Sequence, residues 1–159
     1  MAEQKTNVMR VLEQKKIRYI PHDYPHGGDA VDGVTVARLT GLAPEKVFKT
    51  LVTQGASRRN YVFVIPVAEE LDLKKAAKAA GEKSIAMLPV SQLNALTGYV
   101  RGGCSPIGMK KQLETFYHDS CLTLETIAVS AGKIGAQVEL APAELIALTR
   151  GKTADLITE

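Results

Sequence analysis

The sequence predicts an α+β domain built on a mixed, partly barrel-like β-sheet with surrounding helices, and three observations support this. Two apolar strands at residues 47–52 and 61–65 flank a polar turn, as in a β-hairpin. Further along the chain, strands and helices are mixed rather than strictly alternating, which argues against a regular doubly wound fold. Hydrophobic residues make up 45% and charged residues 23%, so the 159 residues predict one globular domain, residues 1–159.

The elements of the N-terminal half follow from local signals. Thr6 stands where an N-cap is expected, because apolar residues at helical spacing follow it. Glycines, prolines and acidic residues then indicate a long loop. In order, the predicted elements are a helix from Thr6 to about residue 16, a strand at 18–21, a loop at 22–34, a short helix closing near Gly41, and the hairpin.

The C-terminal half has equally local signals. Gly81 stands where a glycine would end a helix, and Pro142 stands where proline opens one. In order, the predicted elements are a helix at 71–80, a helix from Ser91, a glycine-rich loop at 99–108, strands near 115–117, 126–129 and 137–140, a helix from Pro142, and a strand around 155–157.

Composition narrows the function classes. A net charge of +3 permits a nucleic-acid partner without requiring one. Aromatic residues make up only 5% and Trp is absent, which disfavours a module that binds single strands mainly by base stacking. Two cysteines without a disulfide framework, no signal-like N-terminus and no long apolar run predict a cytoplasmic protein without a membrane partner.

Two segments are the first candidates for chemistry. Lys49 lies inside an apolar strand, where its ammonium must reach water, an anion or a carboxylate, although an edge-strand lysine that discourages aggregation explains it as well. Gly102 and Gly103 could let the backbone approach a ligand and present N–H groups to an oxygen, or could simply form a tight turn. The residues alone leave both alternatives open.

Three weaker candidates complete the set. The turn after Ser130 suits a ligand-facing loop or any hairpin. His22 and His26 invite a metal proposal, but their spacing matches no closed zinc pattern, so no metal site is predicted; Tyr24 between them could line a pocket. Cys104 lacks a recognisable base and is not predicted to be a nucleophile. The usual hydrolase, nucleotide-binding and zinc motifs are absent.

The order and spacing of several motifs are more specific than any one of them. The set resembles the YbaK/EbsC family, which is related to the editing insertion domain of bacterial prolyl-tRNA synthetase, and the resemblance runs from about residue 7 to residue 157. The motifs are Val47-Phe48-Lys49-Thr50-Leu51, the lysine-rich residues 71–78, residues 97–108 around Arg101-Gly102-Gly103-Cys104, residues 129–135 beginning Val129-Ser130, and Val138-Glu139-Leu140.

The resemblance implies an aminoacyl-tRNA deacylase that needs no metal or cofactor. Typical members remove cysteine mischarged onto proline tRNA, with the substrate thiol attacking its own ester, and prolyl-tRNA synthetase is a candidate partner. Carried over by position, Lys49 and Gly102 are the expected catalytic residues. The expected substrate-binding residues are Tyr24, Thr50, Gly103 and Ser130. Oligomeric state is not predicted.

Three departures from the family pattern bear on substrate choice. Ala131 replaces a glycine, Ile134 replaces an arginine, and residues 31–33 lack an aromatic side chain. The alternatives are therefore a deacylase for alanine or another small aminoacyl ester, and a non-catalytic module that binds aminoacyl-tRNA. Five lysines are candidates for tRNA backbone contacts, although solvated faces explain them equally well: Lys74, Lys75, Lys78, Lys110 and Lys111.

Overall fold

Residues 5–159 are described by a computed structural model, in which helices and strands are mixed along the chain. The α-helices of this range are α1 (Asn7–Gln14), α2 (Gly33–Thr40), α3 (Leu73–Ala80), α4 (Val90–Thr97) and α5 (Pro142–Thr149). Its strands are β1 (Ile20–Asp23), β2 (Phe48–Gly55), β3 (Asn60–Pro66), β4 (Ile85–Met87), β5 (Glu114–His118), β6 (Ile127–Ser130), β7 (Ala136–Leu140) and β8 (Lys152–Ala154).

The helix ends confirm the predicted caps. The Thr6 hydroxyl accepts a hydrogen bond from the Met9 N–H at 3.2 Å, which satisfies one of the free donors of the first turn of α1. Gly81 follows α3 with φ of 71°, a left-handed conformation that glycine adopts without strain. Pro142 opens α5, where its missing N–H costs nothing.

The strands form two sheets, with orders β1-β7-β6 and β4-β2-β3-β5-β8. The pairs β3–β5 and β5–β8 are parallel and the other pairs are antiparallel, so the sheet system is mixed, as predicted. A parallel bridge between Val47 and Ala128 joins the two sheets. Within residues 5–159 the strands do not close into a barrel.

The β2–β3 hairpin is buried on both faces. Phe48 and Val52 pack into the main core with Leu12 of α1 and Val138 of β7, whereas Phe63 of β3 packs against α3 on the opposite face. Each buried side chain of this kind contributes roughly 1.5–3 kcal/mol. Because β4 pairs only with residues 53–55, the earlier part of β2 keeps an open edge beside the junction of the sheets.

Two predicted strands differ from the structure, and one strand was missed. The first strand lies two residues later than residues 18–21, because the register with β7 starts at Ile20. The strand predicted at 155–157 is β8 instead, and only Ile157 forms an isolated bridge, with Leu71. Strand β4 was not predicted, because three residues are too short for a periodic pattern.

None of the helices in residues 5–159 is long and apolar enough to span a lipid bilayer.

Candidate active site

A cleft of about 1020 Å³ opens where the three-stranded sheet meets the open edge of β2. Its walls come from the loop before α2, from β2, from the glycine-rich loop, and from the ends of β6 and β7. Five of the six residues predicted as site residues line it, namely Tyr24, Lys49, Thr50, Gly102 and Ser130. The fold therefore gathers side chains that are up to 106 positions apart, from Tyr24 to Ser130.

Strand β2 contributes an unpaired cation and an unpaired hydroxyl. Lys49 is half-buried and has no carboxylate within salt-bridge distance among residues 5–159. Burial lowers the pKa of its ammonium, while Glu70 and Glu69 partly oppose this from a distance. The Thr50 hydroxyl oxygen is buried and has no hydrogen-bond partner in the described chain. Both groups are therefore available to a ligand.

The three-stranded sheet carries a row of three polar side chains, of which Gln137 and Ser130 line the cleft. His22, Gln137 and Ser130 are direct partners across β1, β7 and β6, so their side chains share one face. Ser130 Oγ accepts a hydrogen bond from the Gly132 N–H at 3.1 Å, which leaves the hydroxyl proton free to be donated. Gln137 is 7% exposed, and its Oε1 has no partner among the described residues.

Gln137 lines the cleft, and the sequence reasoning did not identify it. A signal was present, because β7 reads Ala-Gln-Val-Glu-Leu, with polar residues alternating strictly with apolar ones. This period-2 pattern predicts that Gln137 and Glu139 face away from the apolar core. What the pattern could not supply is the position of the cleft on that face.

Glu139 anchors the same face behind the cleft. Its carboxylate oxygens lie 2.8 Å from His22 Nε2 and 2.9 Å from Lys46 Nζ, and the Thr126 hydroxyl donates a further hydrogen bond. Burial opposes ionisation of this carboxyl, but the three hydrogen bonds outweigh it and lower its pKa to about 2. The network ties β1, β7 and the start of β6 to the turn that precedes β2.

The two histidines weighed as metal ligands serve separate hydrogen bonds. His22 is held by Glu139, and His26 Nδ1 accepts the Gly28 N–H at 3.1 Å. Residues 5–159 contain no group of three His, Cys, Asp or Glu side chains arranged to hold a metal ion.

The glycine-rich loop places its two glycines differently. Gly102 lines the cleft with φ of +86°, and a Cβ there would lie 2.7 Å from the Ala30 Cβ, so a side chain would strain the backbone and press on the opposite loop. Its N–H has no partner within residues 5–159. Gly103 lies behind the wall, where its N–H donates to the Val100 carbonyl at 3.0 Å.

Cys104 also lines the cleft, but it is a poor nucleophile. It is 8% exposed, and burial raises the pKa of its thiol to about 12. The thiolate is therefore scarce near neutral pH.

The cleft wall as a whole offers a cation, an unpaired backbone N–H, two hydroxyls and an unpaired amide carbonyl. It can hold a small polar group with both donors and acceptors, and it can stabilise negative charge that develops on an oxygen.

The charges of the cleft are segregated. Asp29 and Asp32 stand on the wall before α2, while Lys49 and Arg101 stand on β2 and the glycine-rich loop. Hydrogen bonds from the hydroxyl and N–H of Thr35 lower the pKa of Asp32, so this carboxylate stays ionised as the N-cap of α2. A ligand with a cationic end and an anionic end has one preferred orientation here.

The lysines of α3 lie away from this site. Lys75 Nζ lies 2.9 Å from Asp155 Oδ2 and donates to the Ile157 carbonyl at 2.8 Å. Its helix packs on the Phe63 face of the sheet, opposite the face that carries Phe48 and Val52 into the main core.

Comparisons with known proteins identify a family for this chain. The model of the aminoacyl-tRNA editing domain matches residues 29–148, a range that contains Lys49, Gly102 and Gln137. A protein of Enterococcus faecalis, EbsC, is 46% identical over 157 residues, with 99% of this chain and 96% of that protein covered. Its name assigns it provisionally as a Cys-tRNA(Pro)/Cys-tRNA(Cys) deacylase.

Solved structures show the same fold. A protein used as a scaffold for computational epitope grafting is 26% identical, with a TM-score of 0.82, over 96% of this chain and 95% of that one. A protein provisionally assigned as a trans-editing enzyme for prolyl tRNA synthetase is 24% identical, with a TM-score of 0.83, over 99% of this chain and 100% of that one. At that identity the second likeness concerns the fold alone.

Proposed function

The chain belongs to the aminoacyl-tRNA editing domain family, and from that premise we propose that this deacylase releases cysteine from mischarged proline tRNA. The observation that carries the proposal is the cleft wall itself. An unpaired lysine, an unpaired N–H and a buried unpaired carbonyl converge there, while the neighbouring Cys104 thiol is held protonated. Such a wall suits a substrate that brings its own nucleophile.

Each group has a role that its chemistry supports. The Lys49 ammonium binds the ribose or phosphate of the terminal adenosine. It is half-buried without a carboxylate partner, so an oxygen of the ligand would stabilise its charge. The Gly102 N–H donates to the ester carbonyl oxygen as negative charge develops on it. The Gln137 carbonyl accepts a hydrogen bond from the α-ammonium, which also faces the acidic wall formed by Asp29 and Asp32.

The reaction then requires position rather than an enzyme nucleophile. The cysteinyl sulfur attacks its own ester carbonyl, a sulfur–carbon bond forms, the carbon–oxygen ester bond breaks, and the thiol proton passes to the departing ribose oxygen. The cyclic thioester that leaves is opened by water. Holding sulfur and carbonyl in contact can lower a barrier by roughly 7–11 kcal/mol at best, and the nearby Lys49 charge favours the thiolate of the substrate.

The test is release of labelled amino acid from proline tRNA charged with cysteine or with alanine. We expect wild type to release cysteine and to leave the alanine ester largely intact. Lys49→Ala should lower kcat/KM for the cysteine ester by roughly 100-fold or more, the scale of losing one charge-stabilising group. Lys78→Ala, which removes an exposed lysine of α3 away from the cleft, is the matched control and should keep wild-type activity.

Cys104→Ala separates the substrate thiol from the enzyme thiol. We expect activity to remain within severalfold of wild type, since the Cys104 thiol is protonated at neutral pH. A folded Cys104→Ala protein without activity would contradict the mechanism. Release of alanine at a comparable rate would retain the site but make water the nucleophile, and no release from either ester would favour a binding module. A role for prolyl-tRNA synthetase as partner stays a prediction.

A further inference from the structure

We propose that residues 83–113 form the surface that receives the single-stranded 3′ end of tRNA and the start of its acceptor stem, a proposal that rests on the function proposed above. The first support is charge. This segment contains no Asp or Glu, although the chain has 17, and it carries four cations. Because the whole chain carries +3 and this segment +4, the remaining residues carry −1.

None of these four cations is paired within the fold. All of them are exposed and have no carboxylate within salt-bridge distance among residues 5–159; they are Lys83, Arg101, Lys110 and Lys111. Lys75 of α3, by contrast, is engaged with Asp155. Unpaired cations concentrated in one acid-free segment are the electrostatic footprint expected of a nucleic-acid partner, because phosphate contacts dominate its affinity.

Exposed aliphatic side chains stand beside these cations. Met87 and Val90 line the cleft and are 47% and 61% exposed, and Val100 next to Arg101 is 51% exposed. A duplex hides its bases from such side chains, whereas an unpaired strand can lay its bases against them and expose its phosphates to the cations. The mixture of aliphatic and basic groups therefore fits an unpaired strand better than a duplex.

The geometry of α4 connects the cleft to the outer lysines. Val90, at the start of α4, lines the cleft. Lys110 lies at the other end, where its N–H donates to the Thr97 carbonyl at 3.0 Å and its side chain lies over Gly98. Eight helical residues span about 12 Å, which at a stacked rise of about 3.4 Å per nucleotide accommodates roughly three nucleotides. That is the length of the CCA terminus common to tRNAs.

This path assigns a position to each part of the tRNA end. The aminoacyl ester enters the cleft beside Gly102, the unpaired nucleotides follow α4 past Val90, and Lys110 and Lys111 meet the phosphates where the duplex begins. Lys74 and Lys78 lie on α3, on the opposite face of the five-stranded sheet, and take no part.

The experiment compares two double variants that remove the same charge. Lys110→Ala/Lys111→Ala alters the proposed surface, and Lys74→Ala/Lys78→Ala alters the opposite face, where alanine is well tolerated in a helix. Binding of uncharged proline tRNA is measured by fluorescence anisotropy at several salt concentrations. A second RNA is the same tRNA without its three terminal nucleotides. Circular dichroism melting confirms that both variants fold.

We expect Lys110→Ala/Lys111→Ala to raise Kd at least tenfold and to reduce the slope of log K against log salt by about 1.5, since each phosphate contact contributes roughly 0.7 to 0.9. Lys74→Ala/Lys78→Ala should bind as wild type does, and removal of the three nucleotides should weaken wild-type binding. Equal weakening in both variants, no dependence on the terminal nucleotides, or no tRNA binding by wild type would overturn the proposal. Because uncharged tRNA is the probe, a failure of deacylation is detected separately.

Discussion

Two buried polar atoms distinguish the cleft wall from ordinary core. Thr50 Oγ1 and Gln137 Oε1 lack hydrogen-bond partners among residues 5–159, although nearly all buried polar atoms in folded proteins have one. Leaving a buried donor or acceptor unpaired costs roughly 1–3 kcal/mol. Both atoms lie in the same cleft, so a single ligand with complementary groups could satisfy both.

Thr50→Val tests whether this hydroxyl serves the ligand rather than the fold. Valine keeps the shape of threonine and removes the unpaired hydroxyl, so we expect the free energy of unfolding to rise by about 1 kcal/mol. Deacylation should fall by about tenfold in kcat/KM, because a contact with the substrate is lost. Urea unfolding and single-turnover deacylation measure the two quantities.

Thr53→Val is the matched control on the same strand. Thr53 is fully buried, but its hydroxyl donates to the Tyr61 carbonyl at 3.0 Å. We expect this variant to lose about 1 kcal/mol of stability and to keep its activity. If Thr50→Val lost as much stability as Thr53→Val, the Thr50 hydroxyl would have a partner within the fold and would not be free to bind a ligand.

The sequence identified individual site residues unevenly, for physical reasons. The resemblance supplied Lys49, Thr50, Gly102 and Ser130, all of which line the cleft. Gly103 was also expected there, but its N–H is used within the loop. A loop's hydrogen bonds depend on its folded path, which residue types alone do not reveal.

At the scale of secondary-structure elements, the Glu139 network joins parts of both sheets. One carboxylate contacts His22 of β1, Thr126 before β6, and Lys46 before β2. Hydrogen bonds to a charged group contribute more than neutral ones, roughly 1.5–3 kcal/mol each. The network therefore helps to hold the side chains of Ser130 and Gln137 in position relative to β2.

Glu139→Gln should destabilise the protein in a pH-dependent manner. The folded-state pKa of this carboxyl is lowered from 4.5 to about 2, so its contribution is fully present above about pH 4.5 and is lost as the pH falls toward 2. At pH 7 we expect the free energy of unfolding of the variant to be about 2 kcal/mol below that of wild type. The variant should therefore unfold at a lower urea concentration. The difference should shrink steadily between pH 4.5 and pH 2.

Glu144→Gln provides the control, because Glu144 is an exposed glutamate without a side-chain hydrogen bond among the described residues. Its urea midpoint should follow that of wild type at every pH. A gap between wild type and Glu139→Gln that stayed constant down to pH 2 would show that the ionised carboxylate is not what stabilises the junction.

Elements with strong local signals were predictable, and elements that depend on tertiary pairing were not. The β2–β3 hairpin and α3 carry periodic apolar residues and clear turn or cap signals, and both form where expected. Strand β4 forms because its three residues pair with the end of β2, and β1 takes its register from β7. Pairing partners distant in sequence leave no local pattern to detect.

At the scale of the whole molecule, the cleft spans the joint between the two sheets. Lys49 and Thr50 belong to the five-stranded sheet, and Gln137 and Ser130 to the three-stranded sheet. Side chains of both sheets share the main core, but within residues 5–159 their backbones meet at one bridge, from Val47 to Ala128. A ligand in the cleft therefore adds contacts between two units that share little backbone pairing.

We expect a non-hydrolysable amide analogue of cysteinyl adenosine to stabilise the entire fold. At 100 times its Kd, such a ligand adds about 2.7 kcal/mol to the free energy of unfolding, which for a domain of this size raises the melting temperature by about 5–10 °C. Hydrogen exchange should slow in β2 and in β7 together, since the analogue contacts both sheets. Lys49→Ala should need much more analogue to reach the same melting temperature. Protection confined to one sheet would mean that the ligand does not bridge the joint, and the assignment of Gln137 and Ser130 to the same site as Lys49 would then be wrong.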